Sequence, residues 1–301
     1  MRVAVTGASG MVGRALCRAL QAEGHGVLAV TRGEAPPGTQ RVAWRGAESA
    51  GSAWAAPLRD AEAVVHLAGS SIASGRWTPA RKREILQSRE RATRTLIAAL
   101  QEQGAHPKAF VSMSAVGYYG MDPERTFTEE DPPGEDFLAR VCALWEDAAL
   151  GAKALRSRVA LLRLGVVLSG DGGMLARLMT PYRLGLGGPV GSGRQWVSWI
   201  AQEDVVGLIL HALSDPSAEG PINATSPKPV RNREFAQALG AALHRPAALP
   251  LPAFAVRLAF GEMGETVLLS GQRVLPGGAL SLGYRFRAES IGEALRGILG
   301  A

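Results

Sequence analysis

The first thirteen residues, Met1-Arg-Val-Ala-Val-Thr-Gly-Ala-Ser-Gly-Met-Val-Gly13, decide how the rest of the chain is read. Residues 2–5 form a short run rich in β-branched side chains, too brief for a helix and suited to a buried strand. Gly7, Gly10 and Gly13 follow at a G-x-x-G-x-x-G spacing, and Val12, Ala15, Leu16, Ala19 and Leu20 then recur with helical period. Between a strand and a helix the three glycines have separate tasks. They allow a tight turn, close approach of backbone to a pyrophosphate, and packing of the helix on the sheet. The unpaired N–H groups and the dipole at the helix start face the anion. That context makes the segment an expected dinucleotide site, with Gly7, Ser9, Gly10, Met11, Val12 and Gly13 around the phosphates.

Strand and helix patterns alternate from there, as a doubly wound parallel sheet requires. Further strands are expected at 26–31, 40–44, 62–67, 109–113 and 159–164. Residues 78–103 read as one long helix with Thr78-Pro79 as its cap and first turn, and 136–150 as the next. After about residue 168 the pattern turns irregular. Gly and Pro crowd 169–193, helices return at 203–213 and 232–243, and a Pro-rich linker at 245–252 leads to a last helix at 290–299. The expected fold is α/β: a Rossmann domain over 1–168, rejoined by parts of 195–225, and a smaller C-terminal α/β substrate lobe over 169–301. The lobe would close over the carboxyl ends of the strands.

The second expected strand ends Val30-Thr31-Arg32-Gly33, with no Asp or Glu to accept from a ribose 2′-OH. Arg32 can instead pair bidentately with a 2′-phosphate, so NADP(H) is expected over NAD(H), with Thr31 and Arg32 at the adenosine ribose.

Composition sets limits on the rest. The chain has 301 residues, 47% hydrophobic and 20% charged, which describes a folded globular protein. No run approaches the ~20 apolar residues of a membrane span. A strand and phosphate turn at the start are not a signal peptide, so a cytoplasmic protein without membrane contact is expected. Cys17 and Cys142 give neither a disulfide framework nor metal-ligand spacing. The net charge of +6 comes from scattered arginines, with lysine only at Lys82, Lys108, Lys153 and Lys228. The densest cluster, Arg81-Lys82-Arg83 with Arg89, Arg91 and Arg94, lies on one expected helix and reads as a solvated face with one residue turned to a phosphate. Nucleic acid is therefore not an expected partner.

Several stretches resemble one family. Thr6 to Gly13 is similar to the T-G-x-x-G-x-x-G turn of the extended short-chain dehydrogenase/reductases. His66-Leu67-Ala68-Gly69 resembles their loop under the cofactor, Val111-Ser-Met-Ser-Ala115 their fifth-strand end, and Arg163-Leu-Gly-Val-Val167 their exit beside the nicotinamide. Finer features resemble an atypical branch, the nucleoside-diphosphate-sugar epimerase-like proteins with an added C-terminal domain of the DUF1731 kind. These are Ser114-Ala-Val-Gly-Tyr-Tyr-Gly120, Trp145-Glu146, Gly187 to Trp196 with Trp199-Ile200, Asn223-Ala-Thr-Ser-Pro227, Arg76-Trp77-Thr78 and Ser88-Arg89. The resemblance implies further cofactor contacts at Leu67, Ala68, Gly69, Arg89, Met113, Leu164 and Val166. It also implies a nucleotide-sugar-like or other small carbonyl substrate.

The departures matter as much. The superfamily's Tyr-x-x-x-Lys positions fall on Leu138 and Cys142, and neither can replace a proton-donating phenol or a fixed ammonium charge. Where the branch carries His after Trp-Ile, this chain has Ala201. Candidates for chemistry are then Ser114 and Tyr118, with Tyr119, Arg194, Gln195 and Trp196 as substrate contacts. His66 reads as a structural loop residue and Cys142 as a buried structural thiol. Two function classes stay open. One is an epimerase/dehydratase-like oxidoreductase, as a monomer or homodimer without metal. The other is a non-catalytic NADPH-binding regulatory protein.

Overall fold

Seven parallel strands form the central sheet: β1 (Arg2–Thr6), β2 (Gly26–Thr31), β3 (Gln40–Ala43), β4 (Ala63–His66), β5 (Ala109–Ala115), β6 (Arg158–Leu164) and β7 (Gly220–Ala224). Their spatial order is β3-β2-β1-β4-β5-β6-β7, so the chain changes direction across the sheet between β1 and β4. In open parallel sheets the ligand crevice lies at that switch point. This is the Rossmann arrangement expected. The computed structural model describes residues 1–48 and 51–300; Ala301, where the expected lobe ends, lies outside the described residues.

The helices that pack on the sheet and build the site include α1 (Met11–Ala22), α2 (Pro79–Gln87), α3 (Glu90–Glu102), α4 (Phe137–Leu150), α5 (Gly173–Arg183), α6 (Gln202–Ser214) and α7 (Asn232–Ala242). Leu16 and Leu20 of α1 and Val205 and Ile209 of α6 pack against Val3, Val5 and Val65 on one sheet face. Leu96 and Leu100 of α3 pack against Ala4, Val64 and Phe110 on the other. With both faces covered, β1 is apolar without a break from Val3 to Val5, as such strands are.

Two elements differ from expectation. The long helix is two helices, parted at Ser88 and Arg89. The Ser88 hydroxyl donates to Ile85 O at 3.0 Å and accepts from Ser70 N–H at 3.1 Å, a side-chain competition that ends α2. β7 was not expected, because Gly220-Pro221 reads as a turn. Register with β6, from Gly220 opposite Ala160 to Ala224 opposite Leu164, holds it in place.

A second core gathers Leu175 and Tyr182 of α5, Trp199, Phe235 and Leu239 of α7, and Leu295 of the final helix Ile291–Leu299. Trp199–Ala201 pairs with Val166–Ser169, and Trp196–Val197 with Val230–Arg231, which fixes the Gly-rich segment beside the sheet. Among the described residues, no helix is long and apolar enough to cross a membrane. None of them form a group of three or more His, Cys, Asp or Glu placed to hold a metal ion.

Candidate functional site

The glycine turn joins β1 to α1. Gly7 has φ +66°, a left-handed conformation that suits glycine. A Cβ on Gly13 would lie 2.3 Å from Gly7 O, so α1 can sit against the turn only without a side chain there. Ser9 and Gly10 are exposed, no side chain caps α1, and its first turn carries no acid. These are the requirements of an anion cradle, and a dinucleotide pyrophosphate fits it. Ser9 Oγ lies 3.0 Å from Thr31 Oγ1, which ties the turn to the end of β2. Arg32 beyond it is exposed, and its guanidinium makes no hydrogen bond among the described residues.

Below the turn, a hydrogen-bond chain through the buried Thr6, His66 and Thr93 fixes the neighbouring loop. Leu67 and Ala68 N–H donate to Thr6 Oγ1, and Thr6 Oγ1 lies 2.7 Å from His66 Nδ1. His66 Nε2 lies 2.9 Å from Thr93 Oγ1, whose hydroxyl donates to Arg89 O at 2.6 Å. Because the Thr93 proton is spent on Arg89, His66 Nε2 must carry the ring proton and Nδ1 must accept from Thr6. Burial lowers the His66 pKa to about 3, so the ring is neutral. The histidine is a brace between β1, β4 and α3.

A cavity of about 470 Å³ opens at the carboxyl ends of the strands. Of the residues expected at the cofactor, Val12, Leu67, Gly69, Arg89, Met113, Leu164 and Val166 line it. Gly7, Ser9, Gly10, Met11, Gly13, Thr31, Arg32 and Ala68 belong to the adjoining turn and strand ends. Leu138 and Cys142 line the cavity too. They share one face of α4 with Trp145 and Glu146, since positions four, seven and eight apart coincide on a helix, and Asp136 caps that helix by accepting from Ala139 N–H. Burial pushes the Cys142 thiol up to about 12, which leaves it without nucleophilic thiolate near neutrality.

Ser114 also lines the cavity, and behind it runs a buried polar network. Its hydroxyl donates to Glu146 Oε1 at 2.6 Å. Arg163 grips the same carboxylate with Nε to Oε1 and Nη2 to Oε2, both at 2.9 Å, and donates from Nη1 to Tyr119 Oη. The Tyr119 hydroxyl in turn donates to Asn223 Oδ1 at 2.6 Å. Burial raises the Tyr119 phenol to about 12, with Arg163 opposing.

The other candidates separate. Gln195 and Trp196 line the cavity, whereas Tyr118, Tyr119 and Arg194 do not. The Tyr118 ring lies against the Arg163 guanidinium, 3.5 Å from its carbon to the ring centroid. Arg194 is exposed, and its carbonyl accepts from Arg231. Gln195 Nε2 bridges Val190 O and Leu268 O. Glu146, Arg163 and Asn223 were not among the expected site residues. The available signal was Arg163 itself, a charge inside the apolar run 159–168, which burial would oblige to find a partner.

Comparison with known proteins gives a consistent set of matches. Residues 3–224, which hold all of the sheet but Arg2, match the NAD dependent epimerase/dehydratase family, and residues 251–298 match a domain of unknown function, DUF1731. The epimerase family protein SDR39U1 homolog, chloroplastic, of Arabidopsis thaliana is 44% identical over 99% of this chain and 87% of its own length. The epimerase family protein Mb2239 of Mycobacterium bovis is 43% identical over 97% of this chain and 96% of its own. A crystal structure of human epimerase family protein SDR39U1 with NADPH superposes with a TM-score of 0.87 at 36% identity, covering 100% of this chain and 99% of that one.

Proposed function

The chain belongs to the NAD dependent epimerase/dehydratase family, and from that premise we propose that it is an NADP(H)-binding oxidoreductase of the epimerase/dehydratase type. It would act in the cytoplasm, as a monomer or homodimer, on a nucleotide-sugar-like or other small carbonyl compound. Residues 1–168 with parts of 195–225 would hold the cofactor, and the remainder of 169–301 would form the substrate lobe. The observation that carries the reading is the uncapped, exposed glycine turn of α1 beside the cavity that Ser114 lines.

In this reading Ser9, Gly10 and the first N–H groups of α1 hold the pyrophosphate, and Arg32 takes the 2′-phosphate. Leu67, Gly69, Met113, Leu164 and Val166 shape the nicotinamide end. When bound, NADPH supplies a hydride, two electrons with one proton, to a carbonyl carbon and becomes NADP⁺. The resulting alkoxide needs a proton, and Ser114 is the cavity hydroxyl placed to meet it. Its proton rests on Glu146; rotated toward a substrate oxygen it donates there, while Glu146 keeps its two bonds from Arg163. Glu146 thereby positions Ser114, and solvent replaces the proton. Leu138 has no proton to give, and Cys142 is a neutral thiol. General acid catalysis is typically worth 10²–10⁴-fold, so turnover without a tuned phenol is slow.

The same two residues favour a second reading, a non-catalytic NADPH-binding regulatory protein. NADPH oxidation assayed against panels of carbonyl compounds and nucleotide sugars separates the two. Slow turnover that falls in Ser114→Ala supports the enzyme; no turnover with any compound supports the regulator.

A further inference from the structure

The cavity is charged on one side and apolar on the other. Arg89 is the one charged side chain among the described residues that line it. Its guanidinium lies against Gly69, where a Cβ would be 3.2 Å from Cζ, and over the Trp145 ring at 5.1 Å, with Nη1 donating to Ile85 O. That places the cation at the loop after β4, on the side of the glycine turn. The wall contributed by the C-terminal half is different: Met174, Leu178, Val190, Phe235, Val267 and Leu268 face the space with no cation among them.

A nucleoside diphosphate carries about two negative charges, which proteins meet with Arg or Lys forks, helix N-termini or metal ions. Buried away from such partners, the charges would cost more than any contact returns. Arg194 sits in the Gly-rich segment, exposed and outside the cavity lining. Arg231 and Arg273 lie over the Trp196 ring at 3.8 and 5.0 Å, and neither lines the cavity. The polar groups on the far wall are largely spent on the protein. Gln195 Nε2 bonds two backbone carbonyls, and Gln272 Nε2 bonds Val116 O at 2.7 Å. Tyr182 Oη donates to Gly188 O. Ser114, whose hydroxyl donates to Glu146, lies on the strand-end side of the cavity.

We propose that the substrate compartment takes an uncharged, predominantly apolar carbonyl compound, held by dispersion against the Leu178–Phe235–Val267 wall with its oxygen on Ser114, and that it excludes nucleoside diphosphates. This narrows the substrate class of the oxidoreductase reading and rests on it for the chemistry, though not for the binding.

The test uses the full chain, with and without saturating NADPH, and Nile red as an uncharged apolar probe. Nile red emission rises on binding, cinnamaldehyde displaces it, and UDP-glucose at the same concentration does not. Val267→Asp puts an unpaired carboxylate in the wall and weakens Nile red by roughly tenfold or more. Leu178→Trp weakens it through lost volume, a second variant in case the aspartate disturbs folding. Displacement by UDP-glucose, or Nile red affinity unchanged in both folded variants, overturns the proposal. NADPH heats measured on the same samples keep the two readings apart. Missing NADPH binding with intact Nile red displacement sinks the cofactor reading alone.

Discussion

The Ser114 hydroxyl, which lines the cavity, donates to Glu146 Oε1 at 2.6 Å, toward a carboxylate that Arg163 already holds by two bonds. Removing that hydroxyl should cost turnover but not cofactor affinity. For Ser114→Ala we expect NADPH oxidation to drop by about 10²-fold, in line with loss of one preorganised donor. NADPH titration should be unchanged. A loss of NADPH affinity as large as the loss of rate would place Ser114 in cofactor binding.

Arg163 and Glu146 are both nearly fully buried, so removing one partner leaves an uncompensated charge. Arg163→Met should destabilise by about 3–5 kcal/mol, read from urea unfolding midpoints. It should also free Tyr118, whose ring lies on that guanidinium. A change below about 1 kcal/mol would mean that solvent reaches the pair.

The glycines of the turn should behave differently from one another. Gly13→Ala forces a methyl within 2.3 Å of Gly7 O, and the turn must open, so thermal stability falls even without ligand. Gly10 has only Gly7 O within 4 Å of its would-be Cβ, at 3.1 Å. Gly10→Val should therefore keep the fold and lose NADPH. Circular dichroism melts and calorimetry on the pair distinguish the two effects, and equal melting with equal NADPH affinity would contradict both assignments.

His66 links stability to pH. Its pKa falls from 6.5 to about 3 on folding because burial disfavours the imidazolium. The unfolded chain therefore binds the extra proton. Stability is fully present above about pH 6.5 and is lost as pH falls toward about 3, at up to about 1.4 kcal/mol per unit. Urea unfolding from about pH 7 down to pH 5 should show a slope that grows to about one proton steeper in the wild type than in His66→Asn. Parallel slopes would mean that the ring is charged in the folded state.

Much of the fold was legible because two periods carry it. Runs such as residues 63–66 and 159–162 can hardly be anything but buried strands, and α1 follows from its own apolar spacing. β7 was not legible, since Gly220-Pro221-Ile-Asn-Ala224 has one β-branched residue and is held by pairing rather than propensity. The break at Ser88-Arg89 was not legible because it rests on the Ser88 hydroxyl bonding Ile85 O and, from a loop eighteen residues away, Ser70 N–H. At the site, the family resemblance put Leu138 and Cys142 at the Tyr-x-x-x-Lys positions, and both line the cavity. The Ser114–Glu146–Arg163 network joins residues from three separate elements, and no local pattern announces that.

The central claim, a dinucleotide on the glycine turn with its 2′-phosphate at Arg32, is tested most directly by calorimetric titration of the wild type and Arg32→Ala with NADPH and NADH. A charge-assisted contact of about 1.5–3 kcal/mol predicts that the wild type prefers NADPH by roughly ten- to hundredfold. Arg32→Ala should bring the two affinities together by weakening NADPH alone. Equal affinities in the wild type, or a preference that survives the substitution, would contradict the account.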